Sequence, residues 1–270
     1  MFSTLLNQVR ERVPIVHHIT NYVTVNDCAN ATLAVGGSPI MADDLGEVCD
    51  MVALSSALVI NMGTLNERTV ASMLAAGKHA NRLGRPVVFD PVGAGASALR
   101  NETLAKLLRE VHFTVIRGNI SEIRAVAAGS GTTRGVDADA RDAIQNETLD
   151  DAIAFARALA QRLDCVIAIS GAIDLVCSAD RAYVIRNGHP IMARITGSGC
   201  MSTSVVGAFV GASPENALDA AAAAVCAMGV AGELAAQDCP GTGTFRTRLL
   251  DALSTLDEAA LLGGMSCEAR

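Results

Sequence analysis

Apolar and polar positions along the chain alternate between two kinds of segment. Short runs rich in branched residues recur at Ile15-Val16, Ala57-Leu58-Val59-Ile60, Pro86-Val87-Val88-Phe89, Phe113-Thr114-Val115-Ile116 and Cys165-Val166-Ile167-Ala168-Ile169. Their length and continuous apolar character predict strands buried on both faces. Between them, apolar residues at helical spacing predict helices over 24–35, 67–83, 102–110, 121–128 and 148–163. Strand and helix taking turns in this way implies a mostly parallel sheet in an α/β fold. After Ser170 the pattern changes: 174–178 and 182–186, separated by Ala179-Asp180-Arg181, predict an antiparallel hairpin at a sheet edge. The chain then finishes in helices over 200–211, 214–237 and 245–262, the second with Pro214 just inside Ser213 as its N-cap. With no linker or internal repeat to divide them, residues 1–270 are expected to form one domain.

Composition narrows the class. Half of the residues are apolar, but aromatic residues make up only 3%, so the core is built largely from small side chains suited to close helix-on-sheet packing. The most membrane-like stretch, 220–232, is alanine-rich, bounded by Asp219 and Glu233, and too short for a bilayer span. Residues 1–7 carry no basic segment followed by a long apolar run, so a cytoplasmic location is expected. A formal charge of −7 without any Lys/Arg run argues against nucleic acid or an anionic membrane as partner, and any phosphate must be held by local geometry. The eight cysteines contain no C-x-x-C and are spread over a core-forming chain, so most are expected to be buried reduced thiols.

In a parallel α/β sheet ligands gather where strand ends lead into helix N-termini. Four such ends are polar: Asp90-Pro91-Val92-Gly93-Ala94-Gly95, Arg117-Gly118-Asn119-Ile120-Ser121-Glu122, Ser170-Gly171 and Thr196-Gly197-Ser198-Gly199-Cys200. The last places two glycines before a long apolar helix, where backbone N–H groups converge on an anion; a common tight turn has the same pattern. Asp90 and Glu122 offer hard oxygen ligands suited to Mg²⁺. The structural alternatives are a cap on its own glycine turn for Asp90 and a first-turn helix carboxylate for Glu122. Arg117 is placed to neutralise polyphosphate charge or to form a structural ion pair. Neither a Walker-type nor a Rossmann glycine motif is present. His17 and His18, adjacent on a strand, face opposite sides and cannot easily ligate one ion.

Several motifs in register give the chain its resemblance. They are His18-Ile19-Thr20-Asn21 followed by Asn26 and Ala29-Asn30, Gly36-Gly37-Ser38-Pro39-Ile40-Met41, Asn61-Met62-Gly63-Thr64-Leu65, the Asp90 turn, Arg117-Gly118-Asn119-x-x-Glu122, and Thr196 through Cys200. From about Pro14 to about Leu253 the sequence resembles the hydroxyethylthiazole kinases of thiamine salvage, a branch of the ribokinase-like superfamily. The resemblance implies a three-layer α/β/α fold with a mostly parallel central sheet and transfer of phosphate from ATP, with Mg²⁺, to the primary hydroxyl of 4-methyl-5-(2-hydroxyethyl)thiazole. It implies thiazole contacts at Asn21, Met41 and Gly197, ATP contacts at Arg117, Ser170, Asn119 and Gly199, and Mg²⁺ organised by Asp90 and Glu122. It also implies a homotrimer whose active sites lie at subunit boundaries.

Most ribokinase-like enzymes end the glycine turn in Asp, which activates the substrate hydroxyl, whereas thiazole kinases resemble this chain in having cysteine, here Cys200. A thiol at a helix N-terminus has its pKa lowered by the dipole and could accept a proton; equally, Cys200 could only position the hydroxyl. Two departures stand out. Ser170-Gly171-Ala172 lies where family members usually carry Thr and often Glu in the first and third places, and the polar segment 129–146 corresponds loosely and has no assigned function. Three rival readings are a hydroxymethylpyrimidine-type kinase, a nicotinamide-nucleotide-hydrate dehydratase and a nucleotide-binding regulatory module. Cys200 counts against the first two and the retained Asp90 and Glu122 against the third.

Overall fold

The computed structural model describes residues 2–129 and 144–270, so most of the polar segment 129–146 lies outside the described residues. Nine strands form a single sheet: β1 (Ile15–Ile19), β2 (Ser38–Met41), β3 (Ala57–Asn61), β4 (Val87–Asp90), β5 (Val115–Asn119), β6 (Val166–Ser170), β7 (Asp174–Cys177), β8 (Ala182–Ile185) and β9 (Cys267–Ala269). Their spatial order is β2-β1-β3-β4-β5-β6-β7-β8-β9. The first six pair in parallel and the last three join through antiparallel pairings, the β7–β8 hairpin as the change of pattern after Ser170 predicts.

Why the parallel strands read as unbroken apolar runs is visible in the two cores. Val16, Val59, Val88, Val115 and Val166 pack on one face of the sheet, while Leu58, Ile60, Phe89, Ile116 and Ile167 pack on the other. Successive residues of a strand point to opposite sides, and here both sides are covered. Helices α1 (Phe2–Arg12), α2 (Val25–Val35), α8 (Ser198–Ala212), α9 (Ala217–Ala236), α10 (Thr242–Thr255) and α11 (Glu258–Gly264) cover the first face. Helices α3 (Val48–Leu54), α4 (Glu67–Arg82), α5 (Ala98–Glu110), α6 (Ile120–Ala128) and α7 (Leu149–Leu163) cover the second. Local chemistry fixes several helix starts, notably the Asn66/Thr69 and Asn119/Glu122 capping boxes and the Ser97 and Asp257 side-chain caps.

Several sequence expectations change. Helix α1 has no counterpart among the predicted elements, although Phe2, Leu5, Leu6 and Val9 lie on one helical face and are buried. The short elements β2, α3 and β9 carry too few residues for a periodic signal. The last predicted helix is two, broken at Leu256-Asp257, where Asp257 caps α11. Pro214 opens a 3₁₀ turn, Pro214–Asn216, and Ser213 caps nothing; its hydroxyl donates instead to Gln8 Oε1 at 2.6 Å. The apolar stretch around 220–232 belongs to a longer segment, Pro214–Ala236, long and apolar enough by composition to cross a bilayer. It is a core helix: α9 is buried from Ala220 through Gly232. All eight cysteines are free thiols, and Cys28, Cys177 and Cys226 are the fully buried ones.

Candidate active site

The parallel strands end side by side, and their carboxyl ends bring residues far apart in sequence into one cavity of about 1080 Å³. Asn21, Asp90, Arg117, Asn119, Glu122, Ser170, Gly197, Gly199 and Cys200 all line it. Met41 does not: it ends the edge strand β2, in register with His18 and outside the cavity of the single chain. Asp174, His189, Met192 and Met228 also line it, and the sequence reading gave them no role.

Gly197 enters α8 in the left-handed conformation, with φ 86°. A side chain there would be strained and would sit 2.7 Å from Thr24 Cγ2. A Cβ on Gly199 would lie 2.9 Å from Arg117 Nη1, whose guanidinium donates to the Gly199 carbonyl at 3.0 Å. Glycine at both positions therefore keeps the turn open and lets Arg117 approach its backbone. No side chain caps this helix start, and Ser198, Gly199 and Cys200 of its first turn line the cavity.

The two carboxylates have different surroundings. Asp90 is 2% exposed, and its Oδ2 accepts from Asn61 Nδ2 at 2.9 Å and from Thr203 Oγ1 at 2.8 Å. It is therefore not the cap of its own glycine turn. That task falls to Glu122, which accepts from Gly93 N and Asn119 N, each at 2.9 Å, while Asn119 Oδ1 accepts from Glu122 N. Burial, followed by the Asp90 charge, pushes Glu122 up to about 7, and burial raises Asp90 despite the opposing Arg117 cation. Among the described residues no cluster of three potential ligands forms a protein-only metal cage. The donor set fits Mg²⁺ all the same, since that ion keeps waters and completes its shell with substrate phosphates around one or two carboxylates.

Cys200 Sγ accepts from Asn61 Nδ2 at 3.2 Å and from Asn21 Nδ2 at 3.5 Å. Its pKa is pushed up to about 12, by burial first and then by the Asp90 charge. The lowering expected from the helix dipole is overridden, because desolvation and a nearby carboxylate both disfavour the thiolate. At neutral pH the side chain is a protonated thiol.

Asn61 and Thr203 are the neighbours the sequence reading left without a role. Asn61 was visible as the polar end of an apolar strand; Thr203, in the middle of an apolar helix, gave no comparable signal. The sequence matches the Hydroxyethylthiazole kinase family over residues 6–259. The chain belongs to that family. It is a kinase, a transferase that phosphorylates hydroxyethylthiazole in thiamine salvage, and membership implies ATP as phosphoryl donor. The hydroxyethylthiazole kinase of Desulfovibrio desulfuricans is 55% identical over 97% of this chain and 95% of its own length. The structure of a hydroxyethylthiazole kinase protein from Pyrococcus horikoshii superposes with a TM-score of 0.90 at 34% identity, covering 100% of this chain and 98% of that one. A pyridoxal kinase from Staphylococcus aureus, 13% identical with a TM-score of 0.58, covers 96% of this chain and 98% of its own, and shares the ribokinase-like fold alone.

Proposed function

We propose that the cavity takes 4-methyl-5-(2-hydroxyethyl)thiazole against Asn21 and Gly197, with its primary hydroxyl at Cys200 and the γ-phosphoryl group of ATP at the first turn of α8. The hydroxyl oxygen forms a bond to the γ-phosphorus while the bond from that phosphorus to the β-phosphate oxygen breaks, and the hydroxyl proton passes to an oxygen of the transferred phosphoryl group and on to solvent, giving the thiazole phosphate and ADP. Such a loose transition state needs little help from a base, and most acceleration comes from alignment and charge neutralisation. A protonated Cys200, held by two amide groups, suits alignment of the hydroxyl rather than removal of its proton. Arg117 and the α8 amides neutralise the transferred group, and Asn119 and Ser170, opposite each other in register at the ends of β5 and β6, hold the nucleotide. Asp90 and Glu122 would hold Mg²⁺, which when bound supplies charge neutralisation across the phosphates.

The observation that carries this reading is the convergence of Arg117, Asp90, Cys200 and an uncapped helix start in one cavity. The subunit-boundary site of a homotrimer is part of the same reading. Met41 sits at an edge strand outside the single-chain cavity, and Tyr22, Val23, Leu33, Leu45 and Leu54 expose apolar surface in the same part of the chain. The reaction takes place in the cytoplasm.

The test is steady-state ADP release with ATP, Mg²⁺ and hydroxyethylthiazole, with hydroxymethylpyrimidine as a competitor expected to have no effect. Removing Mg²⁺ with a chelator should abolish turnover. Arg117→Ala should cost about a hundredfold or more, Cys200→Ala about tenfold, and Cys200→Asp should retain or raise activity. Loss of turnover in Cys200→Ala as complete as in Arg117→Ala would sink the positioning role of the thiol.

A further inference from the structure

Asn61 is 2% exposed, and its amide makes four hydrogen bonds, two at each end. The orientation of that amide is fixed from outside. Gly63 N, a donor that cannot reverse its role, points at Oδ1 from 2.8 Å, and Asn21 Nδ2 reaches the same atom at 2.9 Å. The NH₂ group must therefore face the other way, and its two hydrogens go to Asp90 Oδ2 at 2.9 Å and to Cys200 Sγ at 3.2 Å. Asn61 lies opposite Asp90 in the β3–β4 register, so this alignment is anchored in the sheet itself. Asn21 is held in turn, with its Oδ1 accepting from Thr24 N and Thr24 Oγ1 at 3.1 Å each.

From this geometry we infer that Asn61 is a positioning residue of the phosphoryl transfer, a rigid NH₂ bridge that sets the spacing and orientation of the Asp90 carboxylate and the Cys200 thiol. One planar group donating to both acceptors couples the side chain at the phosphate end of the cavity to the side chain at the hydroxyl end. This rests on the reading that places Asp90 beside the phosphates and Cys200 beside the substrate hydroxyl.

The experiment uses the full-length enzyme with ATP, Mg²⁺ and hydroxyethylthiazole. It compares Asn61→Ala and Asn61→Asp alone and combined with Cys200→Ala or Asp90→Asn, with thermal unfolding recorded for each. Asn61→Asp keeps the shape and the acceptor for Gly63 N, but a carboxyl has at most one O–H and cannot donate to Asp90 and Cys200 together, so the bridge is broken. Both single Asn61 variants are expected to lose about ten- to a hundredfold in kcat, with KM for ATP within about twofold, because misalignment acts on the transition state. In either background the Asn61→Ala loss should shrink to less than the square root of its wild-type factor, the mark of residues acting as a unit. Factors that multiply independently in both backgrounds, or Asn61→Asp with wild-type kcat, would overturn the proposal. A merely structural residue would lower the unfolding temperature and leave the cycles multiplicative, which also overturns it. If Asn61→Ala does not fold, the near-isosteric Asn61→Asp carries the same cycles. If Asp90→Asn and Cys200→Ala themselves leave kcat unchanged, the site reading fails and takes the proposal with it, an outcome distinct from multiplicative cycles.

Discussion

On β1 the adjacent His17 and His18 face opposite sides of the sheet and are both buried. His17 Nε2 donates to the Ala42 carbonyl at 2.8 Å, and His18 Nδ1 donates to the Val16 carbonyl at 2.9 Å. Burial lowers both pKa values, His18 to about 4. A folded-state pKa below the unfolded value near 6.5 means that the unfolded chain binds more protons between those limits. The stability contributed by a neutral His18 is therefore complete above pH 6.5 and lost as pH falls toward 4, by as much as about 3 kcal/mol. Glu122, with its raised pKa, pulls the other way between about pH 4.5 and 7, so the His18 part is isolated by difference. His18→Gln should show a smaller loss of urea-unfolding free energy than wild type between pH 7 and pH 4.5; an identical slope would refute the assignment. At this scale the sequence leaves the histidines as either pocket or core residues, and the fold buries both outside the cavity lining; it places Cys200 at a helix start. It could not reveal that desolvation and Asp90 outweigh the dipole at Cys200, because both depend on what the fold brings alongside.

Among the helices, α8 does most to connect packing with chemistry, since its first turn lines the cavity and its body lies across β1, β3 and β4. The close approach depends on Gly207, where an added Cβ would meet Val59 Cγ2 at 2.6 Å and Val16 Cγ1 at 3.1 Å. Gly207→Ala should destabilise by about 1–3 kcal/mol in chemical unfolding, because overpacking against two buried valines outweighs the helix propensity gained. Gly243→Ala in α10 is the control: its Cβ meets nothing within 4 Å, and the change should be neutral or stabilising by up to about 1 kcal/mol. A stabilising Gly207→Ala would show that α8 is free to lift from the sheet. Element identity was largely legible: the apolar strands and the long periodic helices stand close to their predicted ranges. Boundaries at 213–217 and 255–258 were not, because Pro214 and Leu256-Asp257 permit either continuation or a break, and packing chooses.

At the scale of the molecule, the exposed apolar side chains of Tyr22, Val23, Leu33, Leu45 and Leu54 belong to the loop after β1 and to the segments flanking edge strand β2. With the homotrimer reading, light scattering should give three times the 27.8 kDa chain. Tyr22→Asp, at a side chain 79% exposed in the single chain, should shift the protein toward monomer and raise KM for the thiazole more than KM for ATP. A wild-type monomer with full activity would refute the boundary site. The sequence by itself determined the α/β alternation, the strands buried on both faces and the glycine turns, because these follow from local periodicity and backbone freedom. The motif set, including the Cys200 that ends the turn, carried the family. Only the tertiary structure decided that Asn61, Asp90 and Cys200 share one hydrogen-bonded group and that Glu122 rather than Asp90 holds the glycine turn. Asn61 and Cys200 are 139 positions apart, and a contact at that separation is set by which strand ends the sheet places side by side.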